Sequence, residues 1–321
     1  MQKSFVNKVL IEGLVYENKL KIKEVTNQQS ENFGKPYITG ELVIAIAGNE
    51  LDVIPVHYTY VTEMTKNGTP NKTYGILKSI IDNKRSILES GKENAALVKI
   101  DTSVDVNDFY GRDGQLVSAK RNEGGFISEI TSYSDKVNSF KTDMLITNVR
   151  TVEANPERKT PEYTAVAGFV FNFRKEAMPV EFSISNPDGR KYFESLDVQA
   201  SRPLFTQVWG EQHGLVEKIP YTVESAWGAP ITEYRESKVR KWEISGASRI
   251  PYEFDSENTI TAADVQKMMQ DREIKLAAEK KRTEDYYNGV KAQSAAPNTA
   301  AQTPTGFPNM GVPVGTFNPN F

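Results

Sequence analysis

The 321-residue chain is 38% hydrophobic and 10% aromatic, enough to build cores, and its net charge of −3 excludes a molecule-wide basic field for holding a polyanion. It has no cysteine, so disulfide frameworks, cysteine zinc sites and thiol nucleophiles are excluded. Glu12 interrupts the opening Val9-Leu10-Ile11 run, and no later stretch approaches the roughly 20 apolar residues that cross a bilayer. A soluble, cytoplasmic protein with no membrane partner is expected.

The first elements read as strands. Lys8 to Tyr16 leads into Lys19 to Val25, which alternates apolar and charged residues as a half-buried strand does. After a polar loop, Tyr37 to Ile46 places Ile38, Leu42, Ile44 and Ile46 on one face. Ala47-Gly48-Asn49-Glu50 is turn chemistry, and Leu51 to Val61 is the returning strand. Tyr74 to Ile81 has helical spacing. Ala96 to Phe109 returns to alternation, Gly111 to Gly114 forms a turn, and Gln115 to Ile130 is expected to be a hairpin about Asn122-Glu123-Gly124-Gly125.

The second half repeats the order. Phe140 to Val152 and Tyr163 to Phe173 read as strands, the latter with Phe169, Phe171 and Phe173 on one face; Met178 to Ser185 is a third. A short helix follows over Arg190 to Leu196, then strands at Leu204 to Gln212 and Val239 to Ser245. Gly40 and Gly168 sit at matching places in their strands, and a Pro-Val pair (Pro55-Val56, Pro179-Val180) follows each. Three strands, a helix and two strands is the order of a five-stranded OB barrel, with an ordinary antiparallel sandwich as the competing reading. The fold class read is therefore all-β: two tandem OB-like barrels, plus a C-terminal helix and a disordered tail. The domains are drawn at 1–138, 139–250, 251–291 for a helical segment capped near Thr261, and 292–321 for a tail too polar to bury a core.

Catalytic chemistry finds little support. His57 and His213 stand alone, one in each half, and no phosphate loop, GxSxG elbow or HExxH motif occurs. Asp101, Asp105 and Asp108 fall at mixed parity in a strand, which is a solvated face rather than a metal cluster. No enzyme, no cofactor and no metal are expected.

Binding has more to work with. OB barrels hold single strands with aromatic platforms and scattered cations, and each stacked base contributes about 1–3 kcal/mol. Candidates in the first barrel are Tyr58 and Tyr60, read as sharing a face, with Lys66 and Lys72 beyond them. Lys21 and Lys23, Tyr110 and Arg112, and Lys120 and Arg121 complete that set. In the second barrel the candidates are Arg174, Lys175, Phe205, Trp209, Arg235 and Trp242.

The opening Asn7 to Val15, a strand reaching a glycine, resembles the start of bacterial single-stranded DNA-binding proteins, and Val104 to Ile130 resembles the closing strands of their OB domains. The resemblance implies a protein that coats single-stranded DNA in replication or recombination, of phage or mobile-element type and so acting in a bacterial host cytoplasm. It also implies a tail that recruits replication or recombination proteins. That family ends in an acidic tip with Pro-Phe; here Thr316 to Phe321 keeps the terminal phenylalanine without the acidic run. The competing reading is a structural or adaptor protein, such as a virion component, whose barrels serve protein contacts. Oligomerisation is compatible with both.

Overall fold

A computed structural model describes residues 5–156, 161–224, 227–256 and 259–295. The first barrel is built from β1 (Asn7–Asn18), β3 (Pro36–Ile46), β4 (Val53–Thr62), β5 (Leu97–Tyr110) and β6 (Leu116–Glu129). A short β2 (Lys21–Glu24) extends the sheet beside β3. β1 pairs antiparallel with β3 and β5, β3 with β4, and β5 with β6. A parallel contact, Val56 to Asn122 and His57 to Glu123, closes the barrel between β4 and β6. Alternation sends Val9, Ile11, Val15, Leu42, Ile44, Val56, Val98 and Ile100 inward, all buried. Between β4 and β5 lie α1 (Lys72–Asp82), whose Tyr74, Leu77 and Ile80 are buried in that core, and the short α2 (Ile87–Ser90).

The second barrel repeats this pairing. β7 (Asn138–Val152) pairs with β8 (Tyr163–Phe171) and β10 (Leu204–Val223), β8 with β9 (Ala177–Ile184), and β10 with β11 (Ile231–Ala247). Parallel contact of Ser183 with Glu243 closes it, and α3 (Pro187–Glu194) lies between the third and fourth strands. Gly40 and Gly168 occupy the second strand of each barrel for one physical reason. A Cβ would lie 2.4 Å from the Lys19 carbonyl oxygen at Gly40, and 2.0 Å from that of Leu145 at Gly168. Pro55 and Pro179 both fall in third strands, opposite Val43 and Phe169.

Three expectations are corrected. No hairpin forms about Asn122–Gly125: β6 runs unbroken, and the glycines make a bulge in which Glu123 to Phe126 oppose only Ser103 to Asp101. Gly124 (φ 58°) and Gly125 (φ 111°) adopt the left-handed backbone this needs, and the bend carries β6 across to close on β4. β8 ends at Phe171, so Phe173 stands exposed in the turn instead of on the strand face. The last two strands are also far longer than read, 20 and 17 residues, and their ends form a two-stranded arm beyond the barrel.

The two barrels share one sheet because β1 and β7 pair antiparallel, Asn7 with Thr142 through Ile11 with Asn138. A buried amide pair links them further: Asn122 Nδ2 donates to Gln212 Oε1 (3.0 Å), and Gln212 Nε2 donates to Asn122 Oδ1 (3.2 Å). After β11, Tyr252, Phe254 and Ile260 lead to α4 (Ala262–Ala295). Thr261 and Asp264 form its capping box: Asp264 N–H donates to Thr261 Oγ1 (3.1 Å), and Thr261 N–H to Asp264 Oδ2 (3.2 Å). Val265, Met268 and Met269 of α4 cover the outer face of the second barrel at Leu145, Phe171 and Phe205. Residues 292–295 of the expected tail are the end of α4, and the remainder lies outside the described residues. No described helix is long and apolar enough to cross a membrane.

Candidate nucleic-acid interface

In an OB barrel the face of the second and third strands, flanked by the loops after strands one and four, is the side open to a ligand. In the first barrel that face belongs to β3 and β4, widened by β2. Its lower part is closed, because Val43, Ala45 and Val53 are buried against Tyr16, Ile87 and Val216 of the β10 arm. Next comes a polar step, where His57 Nε2 lies 3.1 Å from Glu41 Oε2. His57 holds the Glu41 carboxyl below the usual range against the upward push of burial, and Lys19 and Arg240 add to the effect. Above this step the face is open.

The open part carries an aromatic pair and two lysines. Lys23 is directly opposite Tyr37 and Lys21 opposite Thr39 on β2–β3, while Tyr37 is opposite Thr62 on β3–β4. Directly opposed residues share a face. The Tyr37 and Tyr60 rings stand 4.8 Å apart at 43°. Lys21, Lys23 and Tyr60 are exposed and Tyr37 half-buried. The loop continuing β4 carries exposed Lys66, and exposed Lys72 opens α1.

Tyr58 does not share this face. Between the pairs Gly40–Tyr58 and Ile38–Val61, three steps on β4 match two on β3. That bulge reverses the parity of β4. Tyr58 points into the core, 1% exposed, and Tyr60 outward, 47% exposed. Tyr58 has no face for a base.

A second aromatic and cationic row crosses the junction of the barrels. Lys8 of β1 is opposite Lys141 of β7, and Lys141 is opposite Trp209 of β10. Both lysines are exposed, and Trp209 is 37% exposed with its indole lying over Gly246. Lys136 lines the same shallow pocket.

The remaining candidates are placed elsewhere. Phe205 is fully buried beside Phe171 and Tyr252, and Trp242 is 5% exposed against Phe140 and Phe182, so both are core. The Lys120 ammonium donates to the Glu181 carbonyl across the barrel junction, above the Phe182 ring. Burial pushes its pKa down to about 8. Arg121 is held by Asp105 (3.1 Å) and Glu123 (3.0 Å). These two cations are spent on internal contacts and are not free for phosphate. Tyr110 and Arg112 sit at the β5–β6 turn, Arg112 exposed and Tyr110 half-buried. Arg174 and Lys175 border a groove of about 440 Å³ under α4, in which Asp108 is held by Arg272 and Glu176 by Lys275. Arg235 is exposed on the arm.

Tyr37, Lys8, Lys136 and Lys141 were absent from the residues singled out in the sequence. Alternation around Ile38 already turns Tyr37 outward, which was a usable signal. The Lys8–Lys141–Trp209 row depends on β1–β7 register, for which no local signal exists. Among the described residues, no group of three or more His, Asp or Glu could hold a metal. His213 is held by Asp52, Nδ1 to Oδ2 at 2.8 Å.

Strand order, the two parallel closures and the repeated glycine positions define the class: a tandem OB-like β-barrel protein. Residues 6–282 match the family described as YorF, and the chain belongs to that family. No curated protein matches it. Among solved structures, a deletion mutant of the single-stranded DNA binding protein from Thermus aquaticus is similar at 10% identity and a TM-score of 0.44. That likeness covers 79% of this chain and 98% of the other. The fold assignment rests on the strand pairing described above.

Proposed function

We propose that the chain binds and coats single-stranded DNA without strong sequence preference, in replication or recombination. The observation that carries this is the open patch of Tyr37, Tyr60, Lys21 and Lys23, on the face where an OB barrel receives a ligand. Bases stack on rings whatever their identity, and lysines track the phosphates, so the patch suits a strand of any sequence. Near-neutral overall charge is compatible with this, because stacking supplies what the field does not. Trp209 with Lys8 and Lys141 offers a second contact of the same chemistry.

Fluorescence anisotropy with labelled oligo-dT tests the assignment. Tyr60→Ala and Trp209→Ala are each expected to lose about 1–3 kcal/mol of binding. With Lys21, Lys23, Lys66 and Lys72 as phosphate contacts, the logarithm of affinity should fall with the logarithm of salt at a slope of about −3. Undiminished affinity in both variants would remove the site assignment, and no binding at low salt would remove the function.

A further inference from the structure

Beyond the second barrel the β10–β11 arm pairs with itself, from Leu215 opposite Val239 to Val223 opposite Ile231. A hairpin of two strands is marginally stable in water. This one leaves Leu215, Tyr221, Val223, Ile231 and Val239 exposed on a single face. Among the described residues, β11 meets another strand beyond β10 only where Glu243 faces Ser183, so its outer edge over 231–239 is unpaired.

The two edges of the arm are not equivalent. Pro220 of β10 is opposite Tyr234 of β11. Proline has no N–H and is placed in strands where that position faces the outside. The Pro220–Tyr234 pair is then a non-hydrogen-bonded pair, and the backbone N–H and C=O of Tyr234 point away from β10. One edge is blunted by proline, and the other presents a donor and an acceptor.

We infer that a second copy of this chain adds its β11 to this edge, antiparallel, about a two-fold axis at Tyr234. In that register each Tyr234 exchanges both backbone hydrogen bonds with Tyr234 of the second copy. Glu233 falls opposite Arg235 of the second copy, and by symmetry the pair forms twice. Within one arm Tyr221 of β10 donates a hydrogen bond to one oxygen of the Glu233 carboxylate, and Arg235 of the second copy would approach the carboxylate from the other side. The product is a four-stranded sheet whose two-fold seam carries the two Glu233–Arg235 pairs. Pro220 on the outer edges stops further addition, so the assembly closes as a dimer.

Light scattering on the full chain during size-exclusion chromatography tests this without nucleic acid. The expected particle is twice the 36.0 kDa of one chain. Glu233→Arg and Arg235→Glu should each weaken it by about tenfold or more, by setting like charges opposite one another twice. The double variant carrying both changes should restore the dimer, which a merely structural effect of either residue would not. Tyr234→Pro should give a monomer whose circular dichroism keeps the strand and helix signal of both barrels, because the N–H it removes is not used within the arm. A 36.0 kDa particle at every concentration overturns the inference. So does a dimer that all three single variants leave intact, or one that forms only with oligo-dT.

Discussion

The hydroxyl of Tyr58 lies in the first barrel's core without a hydrogen-bond partner, and burial pushes its ionisation upward. A buried polar group left unpaired costs about 1–3 kcal/mol, so Tyr58→Phe is expected to stabilise the protein by about 1 kcal/mol in urea unfolding. It should leave oligonucleotide affinity unchanged, whereas Tyr60→Ala, two residues away, should not. The difference turns on one bulge. Alternation made Leu42, Ile44, Val98 and Ile100 legible as core from the sequence alone, because an unbroken period of two needs no partner strand to be read. The parity switch after Tyr58 is a property of the β3–β4 pairing, and nothing within β4 announces it. Phe205 and Trp242 were misplaced for a related reason: an aromatic in a strand looks the same in sequence whichever face is covered.

At the scale of elements, strand order and the two interior helices were legible because each carries its own period and its own turn residues. The β10–β11 arm was not. Gly210, Gly214 and Pro220 interrupt the apolar pattern, and only pairing with β11 makes that stretch a strand. The arm is fastened to the first barrel at its root. His213 meets Asp52, whose Oδ1 also accepts from the Gly214 N–H at 2.7 Å. The hydrogen bond to Asp52 raises the pKa of His213 against the downward pull of burial, with Asp52, Glu211 and Glu243 adding charge. A histidine whose folded pKa is raised stabilises the fold fully below its unfolded pKa of about 6.5, and loses that contribution as pH rises through the folded value. As pH rises above about 6.5, unfolding midpoints are therefore expected to fall by more in the parent than in His213→Gln. Equal pH dependence in the two would show that this pair does not fasten the arm.

Across the whole molecule the barrels are joined by β1–β7 pairing, the Asn122–Gln212 amide pair and the arm, so they are expected to unfold together. Asn122→Leu strands the Gln212 amide in a buried site and should cost about 1–3 kcal/mol in that single transition. Two separate transitions would contradict a shared core. The same arrangement is why the proposed contacts lie mainly on one barrel. α4 and the segment before it cover the outer face of the second at Leu145, Phe171 and Phe205, while the first keeps its face open above Glu41 and His57. The most direct test of that asymmetry is ultraviolet crosslinking of the full chain to oligo-dT, with the attachment sites mapped by mass spectrometry. Crosslinks are expected at Tyr37 and Tyr60, with Trp209 as the second site and none at Tyr58, Phe205 or Trp242. Efficient crosslinking that spares both Tyr37 and Tyr60, or no crosslinking at low salt, would contradict the binding surface proposed for this protein.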